Sequence, residues 1–211
     1  MLLKVDDVFL SENLYQIKPA PNPNAKPGTR FTLGSLNKKK CQYIALNNYP
    51  LNSDVVIKYV YDNPMPTNRG GPGITDPRAV HMVIQHSFIA VPKNNYVPRY
   101  DDPRVGYFMT QVTDLTSTSN VPYRDLIHRW NLVKKKPSAP ISEPVEPIVF
   151  WIENTTPMEF RPAVKEGVLR WNRAYRAAGF KNAIQVKTQP DDAEWDAGDI
   201  RYNVLRWTSS P

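Results

Sequence analysis

Three histidines, a single cysteine and an acidic stretch are the groups from which this sequence would have to build catalysis or metal binding. A zinc peptidase helix needs two histidines one turn apart, with a glutamate between them to activate water. His81, His86 and His128 do not have that spacing. On a regular strand His81 and His86 face opposite sides and converge only across a bulge. His86 falls among alternating apolar residues and reads as a hydrogen-bonded core histidine. His128, between Ile127 and Arg129, reads as strand surface. Cys41 stands alone, which excludes an internal disulfide and a multi-thiolate zinc site, so it reads as a small apolar residue. No GxSxG elbow is present, and no histidine lies near Cys41 in sequence. Asp191, Asp192, Glu194, Asp196 and Asp199 surround Trp195 without the ligand order of an EF-hand and read as a solvated loop. The glycine-rich Asn68–Gly73 lacks the lysine and following helix of a phosphate loop. These residues predict no catalytic group and no metal ligand in this chain.

Charge narrows the partners. Lysine and arginine exceed aspartate and glutamate by 27 to 20, a net +7, but the positive charge is scattered. The clusters Lys38–Lys40 and Lys134–Lys136 lack interleaved aromatics and read as solvated turns rather than a nucleic-acid surface. No apolar run is long enough to span a membrane, and Lys4, Asp6 and Asp7 follow Met1–Leu3 too soon for a signal peptide.

The elements that must position these residues fall into two kinds. Prolines and glycines concentrate in Pro19–Gly34, Pro64–Pro77 and Pro137–Pro147, which predicts loops or linkers there. Between them Tyr43–Leu46, Val55–Tyr61, Val80–Val91, Tyr107–Val112 and Asp125–Val133 suit strands. Val80, Met82, Ile84, His86 and Phe88 share one strand face, while His81, Val83, Gln85 and Ser87 share the other, as in a half-buried strand. Residues 1–140 therefore predict an antiparallel β-rich module, a sandwich or part of one. Residues 141–147 form a Pro-rich linker, and 148–211 mix α and β, so the fold class is α+β.

In that last segment Ile148–Ile152 is a continuous apolar run. Thr156, Pro157 and Glu159 fit a capping box, but Pro162 favours a short turn followed by a helix from about Arg161. Phe160, Val164, Val168, Trp171 and Tyr175 then form one apolar stripe on a helix ending at Gly179. Ala183–Lys187 and Ile200–Trp207 supply two more strands, in the order strand, helix, strand, strand.

The tracts HSFIAVP, YVPRYDDPRVGYF, IHRWNLVKKKPSAPISEPVEPIV, AGFKNAI and DIRYNVLRWT, over about residues 40–207, resemble secreted bacterial zinc-dependent metalloproteases. In these a β-rich domain of formerly unknown function precedes a metzincin-like zincin domain. The resemblance implies that residues 148–211 are the non-catalytic first layer of such a domain. Phe160, Val164, Val168, Trp171 and Tyr175 would be its scaffold helix, packed beneath a parallel sheet, and Tyr202 and Val204 would lie on its edge strand. It further implies secretion or a place in the cell envelope, zinc in the full-length protein, and a peptide or protein substrate. HExxHxxGxxH has no counterpart here, so the chain looks like an internal or truncated piece whose catalytic part is missing and which is inactive alone. Uncovered apolar sheet around Ile200–Trp207 predicts self-association. Asp101, Asp102, Arg104 and Tyr107 have two readings. One is a cleft or latency element with Asp101 or Asp102 near the zinc, and the other a tight turn at Asp102–Pro103 with Arg104 salt-bridged. The competing function is a stand-alone extracellular module binding a glycan, polyanion or protein through Tyr96, Tyr100, Trp130 and Trp195.

Overall fold

A computed structural model describes residues 4–18, 24, 26, 33–66 and 73–208, so most of the glycine-rich loop at 68–73 lies outside the described residues. The fold is β-rich α+β and divides into two compact units, Met1–Ala90 and Val91–Pro211.

In the first unit β3 (Asn52–Asp62) is the central strand. β4 (Ala79–Ile89) pairs antiparallel with it over eleven successive residues. Along the other side of β3 lie β2 (Gln42–Asn48), bulged between Tyr43 and Ala45, and β1 (Ser35–Leu36). Val55, Ile57, Tyr59 and Tyr61 alternate onto one face and are buried there. The expected β4 pattern holds: Val80, Met82, Ile84 and His86 turn inward, while His81, Val83, Gln85 and Ser87 are exposed.

Among the described residues the cover over this face is not the second sheet of a sandwich. It is the N-terminal segment, with the short helix α1 (Val5–Phe9) and the buried Leu10. Three tyrosine hydroxyls hold it. Tyr43 donates to Asp6 Oδ1 at 3.0 Å, Tyr59 to the Phe9 carbonyl at 2.7 Å and Tyr61 to Glu12 Oε1 at 2.8 Å. Each hydroxyl so placed is satisfied at the margin of an apolar core, where leaving it unpaired would be costly. Burial, then the Asp6 bond, pushes the Tyr43 hydroxyl up to about 12. Cys41, half-buried, packs against the same core and donates its thiol to the Asn37 carbonyl.

The second unit holds a hairpin-like pair, β5 (Met109–Thr113) and β6 (Tyr123–Ile127), and a three-stranded sheet. β6 ends at Ile127, short of the strand expected through Val133. In the three-stranded sheet β7 (Ile148–Ile152) lies between β8 (Ile184–Thr188) and β9 (Asn203–Leu205), all parallel. The crossover from β7 to β8 carries α2 (Arg161–Leu169) and α3 (Asn172–Ala177).

The single helix expected to run from Arg161 to Gly179 is thus two. The backbone tightens at the junction, where Trp171 N–H bonds to Val168 O and Arg173 N–H to Arg170 O. Just beyond, the Asn172 side chain exchanges two 2.9 Å bonds with the backbone of Ile184, tying α3 to the start of β8. The Thr156–Glu159 capping box does not form the helix start. α2 begins at Arg161 after a turn closed by Phe160 N–H to Pro157 O, and Arg161 donates to the carbonyls of Thr156 and Asn154. The helical end at Gly179 is as expected. Its φ of +90° suits glycine, Phe180 N–H reaches back to Tyr175 O, and a Cβ there would lie 2.9 Å from the Pro140 carbonyl oxygen.

The Pro137–Pro147 stretch is non-helical and ordered against this end: Ser142 N–H bonds to Gly179 O, and Lys181 N–H to Ser142 O. Lysines of both clusters make local pairs within their own units. Lys134 Nζ caps the carbonyls of Ala139 and Pro140, Lys135 pairs with Glu143, and in the first unit Lys40 pairs with Asp62.

Candidate functional site

The parallel sheet places its two faces in different environments. Ile148, Phe150 and Ile152 of β7 share the helix-facing side. There Phe150, Val168, Tyr175, Ile184 and Leu205, with Trp130 and Trp171, line an apolar cavity of about 330 Å3. Trp130 meets Phe150 edge-on at 6.2 Å. Of the stripe predicted from sequence, Val164, Val168 and Tyr175 are half-buried, and burial pushes the Tyr175 hydroxyl up. Trp171 corrects the expectation: it is 65% exposed and sits at the lip of the cavity rather than beneath the sheet. Trp171 keeps the phase of the stripe, lining the cavity with Val168 and Tyr175, and is exposed because the cavity is open there. Phe160 leaves the stripe, stacking on Trp207 at 5.0 Å with both rings partly exposed.

On the opposite face Trp151 packs edge-on against Trp195 and Tyr202, which stack on each other at 3.8 Å. Lys187 Nζ lies 5.1 Å from the centre of the Trp151 ring. Here the expected solvated acidic loop holds for Asp191, Asp192, Glu194 and Asp196, which are exposed, but not for Asp199, which is 1% exposed. It accepts bonds from the Arg201 side chain, the shortest 2.6 Å, which hold its carboxyl below the usual range. Tyr202 N–H and Arg201 N–H also bond to Asp199, so Ile200–Tyr202 is a turn, and the strand expected over Ile200–Trp207 shortens to β9. Val204 lies on β9 and Tyr202 just before it. Arg206 pairs with the buried Glu153 at 3.2 Å.

In the DDPRVGYF tract Asp102 closes a turn. Its carbonyl accepts Val105 N–H, and its carboxylate accepts the Arg104 backbone N–H and side chain, with a shortest contact of 2.6 Å. That pairing holds the Asp102 carboxyl below its ordinary value. Asp101 N–H bonds to Asp125 O beside β6. Tyr107 and Phe108 are exposed immediately before β5. This geometry accounts for Asp102 and Arg104 by the turn alone.

His86 and His128 do not meet metal-site geometry. Tyr59 gives its proton to Phe9 O, so the 2.8 Å contact between Tyr59 Oη and His86 Nε2 makes Nε2 the donor. His128 Nε2 pairs with Thr110 Oγ1 at 2.7 Å on the exposed face of the hairpin. The β3/β4 register has no bulge, which keeps His81 and His86 on opposite faces. These histidines do not fit the zinc helix of the resembled family, and no group of three or more metal-ligating side chains occurs among the described residues.

Of the aromatics proposed for ligand contact, Trp195 is half-buried in its stack, and Tyr96 is covered by the Arg129 guanidinium at 4.6 Å. Tyr100 and Trp130 are exposed. The sequence reading missed the tyrosine latch, the Asn172 clamp and the Trp151–Trp195–Tyr202 cluster. The one local signal was an excess of tyrosines in β2 and β3.

No helix among the described residues is long and apolar enough to cross a membrane. No curated protein and no solved structure matches the chain. A family model described as a domain of unknown function, DUF5117, matches residues 1–135, which spans the first unit and the β5/β6 pair. By that match over more than half of its length, the chain belongs to the DUF5117 family.

Proposed function

We propose that this chain is the non-catalytic portion of a zinc-dependent metallopeptidase-like protein. In this reading the DUF5117 region is an accessory module, and residues 148–208 are the first layer of a zincin-like domain. The observation that carries the reading is the parallel β8-β7-β9 sheet with its two-helix crossover, immediately after the β-rich region. Its elements follow the strand, helix, strand, strand order read from the residues of this segment, with the helix divided in two. The role of this portion is structural: Phe150, Val168 and Tyr175 form an apolar bed on the helix side, and Asp199 fixes the approach to β9. A peptide-bond hydrolase built on it takes its zinc from residues other than these, in a secreted or envelope-bound protein.

The test is to sequence the coding region beyond residue 211 and express the longer product. The proposal expects HExxHxxGxxH there, and zinc-dependent peptide cleavage by the long product but not by residues 1–211. A stop codon directly after residue 211 in the native gene would sink it.

A second reading is favoured by the open cavity with Trp171 at its lip and Trp130 on its wall. It is a stand-alone extracellular module that binds a glycan, polyanion or protein through exposed aromatics. Saturable glycan or polyanion binding by residues 1–211, lost in Trp130→Ala and Trp171→Ala, would favour it.

A further inference from the structure

β4 is long and lies at an edge. Two backbone bonds at the ends of its ladder fix which way its amides point: Asn63 N–H to Arg78 O and Ala90 N–H to Leu51 O, both 2.8 Å. With the register Asn52↔Ile89 through Asp62↔Ala79, antiparallel alternation turns the amides of Val80, Met82, Ile84, His86 and Phe88 toward β3. The outward row is therefore Ala79, whose N–H is already taken by Asp76 O at 3.3 Å, followed by His81, Val83, Gln85, Ser87 and Ile89, whose N–H and C=O groups point away from β3. No strand among the described residues pairs with that outer row.

Natural sheets guard such an edge with charge, proline or a bulge. β4 carries no Lys, Arg, Asp, Glu or Pro, and its ladder has no register shift. β2, by contrast, is shorter and bulged. A row of alternating donors and acceptors at strand spacing is matched by another extended polypeptide.

We propose that β4 pairs antiparallel with β4 of a second copy of this chain, about a two-fold axis through Gln85. With the Ala79 N–H taken by Asp76 O, that centre is the one that brings the five residues from His81 to Ile89 into register: His81 opposite Ile89, Val83 opposite Ser87, and Gln85 opposite its symmetry mate. A two-fold contact must be self-complementary. Formal charge on the strand would crowd like charges at the axis, and β4 has none. On the core side the same axis sets the partly exposed Phe88 beside Met82 of the other copy. The seam continues a slot of about 430 Å3 along Ile84–Phe88, walled by the exposed Leu14 and Tyr15.

Sedimentation equilibrium of the full chain tests this. The expected mass is twice 24.2 kDa. Gln85→Pro removes an outward amide, leaves the bonds to β3 in place and should give a monomer with an unchanged far-UV spectrum. Gln85→Lys and Gln85→Glu, on an exposed side chain, should each be monomeric alone, because like charges meet at the axis. Mixed together they should form a dimer again, a result that a general folding defect does not produce. A wild-type monomer up to its solubility limit, or a dimer that survives both charge substitutions, overturns the proposal.

Discussion

The antiparallel sheet of the first unit and the parallel sheet of the second solve the same problem with different completeness. In the first, one face of β3 is sealed: Ile57, Tyr59 and Tyr61 are 0% exposed beneath a strap from the chain's own N-terminus. In the second, Ile148, Ile152 and Ile184 are buried, but neither crossover helix contains a buried residue, and an apolar cavity stays open between helices and sheet. The contrast teaches where stability resides. The first unit closes its own core, whereas the second leaves an apolar cavity open beside its sheet.

The largest expected effect breaks the sealed side. Ile57→Ala should cost about 2–5 kcal/mol in urea unfolding, because the site is fully enclosed. Gly179→Ala should cost more than ~1 kcal/mol, since alanine must take a positive φ with its Cβ against the Pro140 carbonyl. Tyr61→Phe removes one latch bond and should cost about 0.5–1.5 kcal/mol, with faster amide exchange confined to residues 4–18. Trp171→Ala should stay within ~0.5 kcal/mol of wild type, because the ring is 65% exposed. A Trp171 cost as large as that of Ile57 would erase the distinction between the two regions.

The latch also sets a pH dependence. The Tyr43 hydroxyl rises from 10.0 to about 12 in the folded chain, so its protonated form is favoured by folding. Its contribution is fully present below pH 10 and is lost as pH rises toward 12. Tyrosinate absorbance during alkaline titration should show that late titration move part of the way back in Asp6→Ala, because burial, the larger cause, remains.

What the sequence revealed follows from the range of each interaction. The alternation in β4 and the apolar run of β7 are properties of neighbouring residues, so both strands were legible, as was the glycine that ends α3. The strap was not, because Tyr43, Tyr59 and Tyr61 find partners 37 to 50 residues away, and nothing local marks Asp6, Phe9 or Glu12 as those partners. Asp199 looked solvated for a similar reason. Its neighbours are acidic, while its burial comes from the turn it makes with Arg201 and the packing of that turn. Trp171 falls on the predicted stripe and lines the cavity with Val168 and Tyr175, but helical periodicity carries no information on whether that cavity is covered, and Trp171 is exposed at its lip.

Metal analysis of the purified 211-residue chain, with a peptide-cleavage assay in added zinc, tests the functional account most directly. The account predicts no stoichiometric zinc and no zinc-dependent cleavage. One tightly held zinc per chain, with cleavage abolished by a chelator, would contradict it.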